Sequence, residues 1–458
     1  MSTLTIAQLN SEQRDYFRLG STRTYEFRLR QLRRLRGAVQ KFEHQILEAL
    51  YEDMAKPEFE AFASEVGFIY EEISFAEKHL KHWMGRTRVS TPMVHAIAKS
   101  EIIKEPRGVV LIIGPWNYPF QLVFSPLIGA ISAGNCSVLK PSECSPAIAK
   151  VISELIAETF DSQFISCVTG DKEVAKALLS EKWDYIFYTG GERVGKIVME
   201  SASRFLTPVT LELGGKSPCL VDSTADLKTT VRRILWGKFF NAGQTCVSPD
   251  YVLIQRETQD AFCELAQEVL REFYGDSPQG SPDYGRIIND VHFQRLAKLI
   301  PEAGCVVGGQ TDEATRFIAP TIVRDVASSD PLMQEEIFGP ILPLIPVGDW
   351  NEAIEFVAAR PRPLACYLFS SDERRQNQAL GTLSFGGGCV NDTLVHLTNN
   401  HLPFGGTGTS GMGQYHGRHS FETFSHSKSV MTRSFLVDPK LRYPPYGSRV
   451  SWLRKLLK

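Results

Sequence analysis

Gly108–Leu139 reads GVVLIIGPWNYPFQLVFSPLIGAISAGNCSVL, a stretch with no charged side chain. It is long enough to span a bilayer. Pro115, Asn117, Pro119, Gln121, Pro126, Gly129 and Asn135 interrupt it, and they suit a strand, a turn and a buried helix better than one membrane helix. The same alternation continues to residue 215. Apolar runs at Val109–Ile113, Ser137–Leu139, Ile165–Val168, Tyr185–Tyr188 and Val209–Leu213 are separated by helix-like segments near 121–133, 146–159, 172–180 and 193–204. Strand, helix and strand repeated in this way predict a parallel sheet covered on both faces. That is a doubly wound nucleotide-binding architecture. Residues 216–418 repeat the alternation, which predicts a second α/β domain around Cys246.

Outward from this core the chain changes character. Residues 1–90 read as helical, with Leu29, Leu32, Leu35, Val39, Phe42, Ile46, Leu47 and Leu50 recurring every three or four positions as a buried stripe. Arg28, Arg30, Arg33, Arg34 and Arg36 between them resemble a nucleic-acid patch, but the preferred reading is a solvated helix face paired with acids. A length of 458 residues implies two or three domains, and a net charge of −2 gives no electrostatic case for nucleic acid. Nine cysteines without a Cys-x-x-Cys pair remove the main support for a zinc or thioredoxin-like site, so no metal is expected. Their odd count fits free thiols in a reducing compartment. Met1–Phe17 lacks the apolar segment of a signal peptide, and a cytoplasmic location is expected.

Six short motifs carry chemistry. Thr189-Gly190-Gly191-Glu192-Arg193-Val194-Gly195 follows an apolar strand and opens a helix, where backbone N–H groups can face a pyrophosphate. It lacks the full Gly-x-Gly-x-x-Gly fingerprint, and glycines at such a turn are often structural. Lys140-Pro141-Ser142-Glu143 sits at the carboxyl end of a strand, a place suited to gripping an adenosine ribose, although a solvated loop is the plain alternative. In Gly114-Pro115-Trp116-Asn117-Tyr118-Pro119, a side-chain amide held in a Pro-bounded turn can donate to a developing oxyanion; asparagine is also an ordinary turn residue. Glu335-Glu336-Ile337-Phe338-Gly339-Pro340 reads equally well as plain surface. Finally, Glu212-Leu213-Gly214-Gly215-Lys216 and Phe239-Phe240-Asn241-Ala242-Gly243-Gln244-Thr245-Cys246 place a carboxylate and a thiol where acyl transfer needs a base and a soft nucleophile.

In order and content these motifs resemble the aldehyde dehydrogenase superfamily, from residue 114 to about 417. Leu402-Pro403-Phe404-Gly405-Gly406 and Ser410-Gly411-Met412-Gly413 extend the match, and Tyr415-His416-Gly417-Arg418-His419-Ser420-Phe421 resembles the class 3 (fatty/aromatic aldehyde) branch. The short amino terminus does so too. The resemblance implies two doubly wound α/β domains plus a small β bridging (oligomerisation) domain. The corresponding spans are 1–86 with 104–214 for NAD(P) binding, 215–418 for catalysis, 87–103 with 423–436 for bridging, and 437–458 as a basic tail. It further implies that Cys246 is the nucleophile, Glu212 the water-activating base and Asn117 an oxyanion donor beside the Cys246 N–H. The cofactor would be held by Lys140 and Glu143 at the adenosine ribose, by Gly190 and Gly195 in the shortened loop, and by Glu336 and Phe338 near the nicotinamide ribose. A carboxylate at Glu143 repels a 2′-phosphate and favours NAD, with NADP as the alternative. Tyr118, Trp236 and Phe404 match positions on the family's substrate tunnel.

The expected reaction is oxidation of an aldehyde to the acid through a cysteine thiohemiacetal and thioester. Apolar tunnel walls favour a medium or long aliphatic, aromatic or terpenoid-like aldehyde over a short-chain or charged semialdehyde. Rival readings are a coenzyme A-acylating relative, which would generally lack Glu212, a cysteine hydrolase using His396 or His416, and a non-catalytic binding protein on this fold. Glu336 competes with Glu212 for the base role. Class 3 relatives are dimers, so a homodimer is expected. The segment Ser451–Lys458 is too short to cross a bilayer, yet Trp452, Leu453, Leu456 and Leu457 alternate with Arg454, Lys455 and Lys458 at helical spacing. Peripheral contact with an anionic membrane is one expectation; packing of the tail on its own subunit or the partner is the other.

Overall fold

A computed structural model describes residues 5–95, 97–436, 438 and 440–456. Its first helices are capped by residues their sequence provides. Thr5 forms a reciprocal box with Gln8 at the start of Ile6–Arg18, and Thr24 accepts the Phe27 N–H at 3.2 Å to begin Tyr25–Met54. Leu32, Leu35, Val39, Phe42, Ile46 and Leu50 of this long helix are buried, while Leu29 and Leu47 are half-buried. The helix packs against Pro146–Thr159. Asp53 closes that contact by accepting the N–H groups of Ala147 at 3.1 Å and Ile148 at 3.0 Å. Those donors would otherwise be orphans, because Pro146–Thr159 has no side-chain cap of its own.

Arg28 corrects the expectation of a wholly solvated basic face. It lies one turn before Leu32 on the buried stripe, and its guanidinium donates to the carbonyls of Thr22 at 3.0 Å and Ser132 at 3.1 Å. Arg30, Arg33 and Arg34 are exposed, and Arg36 lies 3.7 Å from Glu77.

The six-stranded sheet runs, in spatial order, Gly411–Met412, Val209–Glu212, Tyr185–Thr189, Val109–Ile113, Cys136–Lys140 and Ile165–Cys167. Every pairing is parallel except that of the Gly411–Met412 edge. Val109–Ile113 is laid down first, the next two strands extend one side, and Tyr185–Thr189 returns to the other. A reversal of this kind opens a crevice at the carboxyl ends of the central strands. The turns Gly114–Pro119 and Thr189–Gly191 both leave the sheet there.

A seven-stranded sheet follows in the order Cys305–Val307, Thr321–Val323, Ile341–Val347, Tyr251–Gln255, Pro218–Val221, Ala365–Phe369 and Gly387–Val390. Only its first pairing is antiparallel. The fold is thus α/β, with two parallel-stranded cores. A third, antiparallel sheet joins Thr87–Val89, Lys99–Pro106 and Ser425–Thr432, and most of its side chains reach solvent.

Among the described residues no helix is long and apolar enough to cross a membrane, and no group of three or more His, Cys, Asp or Glu is placed to hold a metal. The tail forms the helix Arg449–Leu456. Leu457, Lys458 and the side chains of Trp452 and Leu456 lie outside the described residues, as does Ala96 in the 87–103 segment.

Candidate active site

The helix Leu227–Phe239 delivers the chain to a tight turn in which Asn241 (φ 54°), Ala242 (φ 52°) and Gly243 (φ 75°) are all left-handed. Glycine is required at 243, since a Cβ there would stand 2.3 Å from the Gly339 carbonyl oxygen. Asparagine tolerates this conformation; Ala242 is strained and must be held by its surroundings. Gln244 does part of that holding. Its Nε2 donates to the carbonyls of Asn241 at 3.1 Å and Arg286 at 3.0 Å, and its Oε1 accepts the Ile288 N–H at 3.0 Å. Two residues later the chain presents Cys246.

Asn117 meets this turn from the first sheet. Its Nδ2 donates to the Gln244 carbonyl at 2.9 Å, which uses one of the amide's two N–H bonds. Next to it, the Tyr118 hydroxyl and Thr245 Oγ1 are 2.6 Å apart. The Gly114–Pro119 turn and the turn that carries Cys246 are therefore pinned to one another across the two sheets.

Cys246 and Glu212 line the same cavity of about 280 Å³, and Tyr118, Trp236 and Phe404 all stand on its wall. Glu212 ends the strand Val209–Glu212, is buried, and neither carboxyl oxygen has a hydrogen-bond partner among the described residues. Burial alone raises its carboxyl well above the ordinary carboxylate range. The Cys246 thiol is pushed up to about 12, first by burial and then by the Glu336 and Glu212 carboxyls, with the N–H groups of Cys246 and Val247 pulling the other way. Glu336 is raised to about 8 by burial and then by Asp250, opposed by the Gly215 N–H, Lys216 and Lys238. Its carboxyl is packed so closely over Gly214 that a Cβ there would lie 2.1 Å from Oε2. Phe338 takes a left-handed φ of 51° and packs edge-on against Trp116 at 5.3 Å.

The remaining cofactor candidates gather at the carboxyl edge of the six-stranded sheet. Lys140 is buried, with Nζ donating to the Pro141 carbonyl at 2.8 Å and to Glu143 at 3.2 Å, while Glu143 itself is exposed. The Gly190 N–H donates to the Glu212 carbonyl at 3.0 Å, and Gly195 is buried in the first turn of the helix Glu192–Ser203. That helix has no side-chain cap, and nothing lies within 4 Å of where a Gly191 Cβ would stand. An uncapped helix start with open space before it, in the sheet whose strand Cys136–Lys140 ends on Lys140, fits a dinucleotide.

Neither candidate histidine is hydrogen-bonded to Cys246. His396 Nδ1 lies 3.5 Å from Cys389 Sγ, and burial lowers the imidazole to about 4. His416 does line the cavity, stacked on Phe404 at 5.3 Å, but burial first and then His396 and His419 hold it down to about 3, with the Leu397 backbone pulling the other way. A cysteine hydrolase needs an imidazole against the thiol, and the geometry does not provide one. Several wall residues went unnoticed in the sequence. Phe59, Phe68, Leu394, Val395 and Leu397 contribute to the cavity from segments read only as helix or loop. Their apolar character was visible; the face they turn to the site was not.

The aldehyde dehydrogenase family profile matches residues 9–430. The chain is 48% identical to 4,4'-diaponeurosporen-aldehyde dehydrogenase of Staphylococcus aureus (strain NCTC 8325 / PS 47) over 455 residues, 99% of each chain. It is 48% identical to aldehyde dehydrogenase family 3 member B1 of Rattus norvegicus over 438 residues, covering 95% of this chain and 94% of that protein. The solved structure of a substrate-bound state of Staphylococcus aureus AldH superimposes with a TM-score of 0.98 at 48% identity and covers 100% of both chains. Since the match runs unbroken through both parallel sheets and into the third, the chain belongs to the aldehyde dehydrogenase family, and is an oxidoreductase that acts on aldehydes with a nicotinamide cofactor.

Proposed function

We propose that the protein oxidises a medium or long aliphatic, aromatic or terpenoid-like aldehyde to its acid through a thioester on Cys246. The observation that carries this reading is the pairing of a thiol and an unpartnered carboxyl in one apolar, aromatic-walled cavity. Cys246 gives up its S–H proton to solvent as Sγ adds to the carbonyl carbon and the C=O electron pair moves to oxygen; that pair would re-form C=O as the C–H hydride leaves, giving the thioester. The free Asn117 N–H and the Cys246 N–H receive that charge, a contribution of about 3 kcal/mol per donor. A bound nicotinamide would supply the hydride acceptor, held by Lys140, Glu143, Gly190, Gly195, Glu336 and Phe338. Glu212 then takes a proton from water as the water adds to the thioester, the C–S bond breaks, and the acid leaves with Cys246 restored. Glu143 beside the Lys140 ammonium supports NAD over NADP, because a 2′-phosphate there would meet a carboxylate.

The wall supports an apolar substrate. The Staphylococcus aureus relative is named for 4,4'-diaponeurosporen-aldehyde. Comparing kcat/KM for hexanal, decanal, benzaldehyde and succinic semialdehyde tests the assignment. Decanal or benzaldehyde should be preferred over succinic semialdehyde by at least tenfold, since each buried methylene contributes about 0.8 kcal/mol and a buried carboxylate would be unpaired. The highest value on succinic semialdehyde would refute the apolar tunnel.

We further infer a cytoplasmic homodimer, joined partly through the Thr87–Val89, Lys99–Pro106 and Ser425–Thr432 sheet, whose tail touches anionic membrane. Val450 and Leu453 are exposed on the tail helix beside Arg454 and Lys455, as a surface-lying helix requires. Full-length chain should show twice the 51.3 kDa chain mass by light scattering and pellet with anionic liposomes, whereas a chain ending at Tyr446 should remain dimeric and stay in solution. A monomeric mass removes the dimer, and equal pelleting of both forms removes the tail.

A further inference from the structure

The helix Glu58–Ala61 does not run straight into Gly67–Trp83. One wide turn, Phe62–Val66, closed by Gly67 N–H to the Phe62 carbonyl, separates them. Such π-type turns recur at functional sites because the additional residue re-aims the side chains around it. Here Phe59, Ala63, Ser64 and Phe68 line the cavity, while Glu60 and Glu65 are buried behind it.

The buried acids reach both halves of the site. Glu65 Oε1 pairs with Lys56 Nζ at 2.5 Å, and neither side chain has any solvent exposure. Glu65 Oε2 accepts the N–H groups of Phe120 at 2.9 Å and Gln121 at 3.1 Å. It thereby caps the helix Gln121–Ala133, which lacks a side-chain cap from its own sequence. Lys56 Nζ also lies 3.3 Å from the Asn117 carbonyl oxygen and 4.1 Å over the Tyr118 ring. Glu60 accepts the Asn241 N–H at 2.8 Å, at the first left-handed residue of the thiol turn. Asn241 closes the circuit by donating from Nδ2 to the Asn117 carbonyl at 2.9 Å.

Replacing a buried ion pair by apolar residues of similar volume is often neutral or stabilising, so stability alone does not account for this one. We propose that Lys56, Glu60 and Glu65 are positioning residues for thiol addition, acting through Asn117 and the Asn241–Cys246 turn to set the amide donor and the sulfur in register. The inference rests on the assignment of Cys246 and Asn117 above. Without Glu60 the Asn241 N–H is a buried orphan donor, and the strained turn loses the contact that holds its first residue. Without Lys56 and Glu65 the Asn117 turn loses its anchors from behind. A displacement of about 1 Å between reacting groups costs roughly 100-fold in rate.

The test uses the full-length chain saturated with NAD, with hexanal as the probe aldehyde. Three variants are compared with wild type. Glu60→Leu removes the acceptor, Glu60→Gln keeps an amide oxygen for Asn241, and Lys56→Met combined with Glu65→Leu removes both charges together. Stopped-flow NADH appearance reads thiol addition with hydride transfer, acid release reads thioester hydrolysis, and iodoacetamide alkylation of Cys246 without aldehyde reads the thiol alone. Glu60→Leu and the double variant should slow the burst by about 30- to 100-fold, leave hydrolysis within threefold of wild type, and slow alkylation. Glu60→Gln should restore the burst to within threefold. A wild-type burst in folded Glu60→Leu or in the double variant overturns the proposal, and so does equal slowing of burst and hydrolysis, which is what a merely structural role would give. Should Glu60→Leu fail to fold, the double variant, which removes the Lys56 and Glu65 charges together and keeps the Glu60 acceptor, decides. If Cys246→Ser keeps full turnover, the thioester reading fails, and alkylation, which needs no substrate, still reports on the positioning.

Discussion

Cys246→Ser is expected to lower steady-state aldehyde oxidation by roughly 10⁴-fold or more, the scale of losing a nucleophile outright. The substitution changes one atom in a half-buried side chain and leaves the Asn241–Gln244 hydrogen bonds in place, so melting temperature and NAD binding should be those of wild type. The loss is chemical. Burial and two neighbouring carboxyls already push the thiol to about 12, and only the N–H groups of Cys246 and Val247 favour its anion. An alcohol, with a far higher intrinsic pKa and a harder oxygen, would have almost no anion in the same surroundings. Stopped-flow with decanal and NAD should show no NADH burst. Full turnover in the serine variant would sink the covalent scheme.

Glu212→Gln is expected to separate the two halves of the reaction. The first should survive, giving close to one NADH per subunit, while multiple turnover falls by about 10²- to 10⁴-fold, the usual contribution of a general base. Glutamine is nearly isosteric and cannot take a proton. A matched Glu336→Gln variant, assayed the same way, discriminates the two acids: a surviving second half in Glu212→Gln with its loss in Glu336→Gln would transfer the base to Glu336. The pH dependence follows from the same surroundings. A base works only when deprotonated, and burial raises Glu212 well above the carboxylate range, while burial with Asp250 brings Glu336 to about 8. Wild-type kcat should therefore fall as the pH drops through neutrality. It should rise towards alkaline pH, where the thiol also ionises more. A kcat flat from pH 6 to 9 would contradict a raised base in the rate-limiting step.

Much of the scaffold was legible along the chain. The expected strand Val109–Ile113 and helices 121–133, 146–159 and 172–180 coincide with the observed elements, and the segment expected at 193–204 is the helix Glu192–Ser203. Buried parallel strands are continuous apolar runs, and the helices between them carry their own periodicity, so both are written locally. The motifs that contain Cys246, Glu212, Asn117, Tyr118 and Phe404 are likewise contiguous in sequence, and the fold gathers these side chains, with Trp236, around one cavity and the turn that abuts it.

Long-range pairing was not legible. Periodicity states which side of a helix is buried but not what it is buried against, so it placed Arg28 in solvent although its stripe position carries it to the Ser132 carbonyl. Nor does it reveal that Gly411–Met412 leaves the second half of the chain to edge the first sheet beside Glu212. Glu60 and Glu65 belong to no motif in the sequence. Only the wide turn at Phe62–Val66 rotates them inward, where Glu60 meets an N–H 181 residues away and Glu65 caps a helix 55 residues away. Local sequence determined the elements and the chemical groups, because propensity and burial pattern act over a few residues. The tertiary structure decided which buried charge faces which orphan donor, because that match depends on how the finished elements pack.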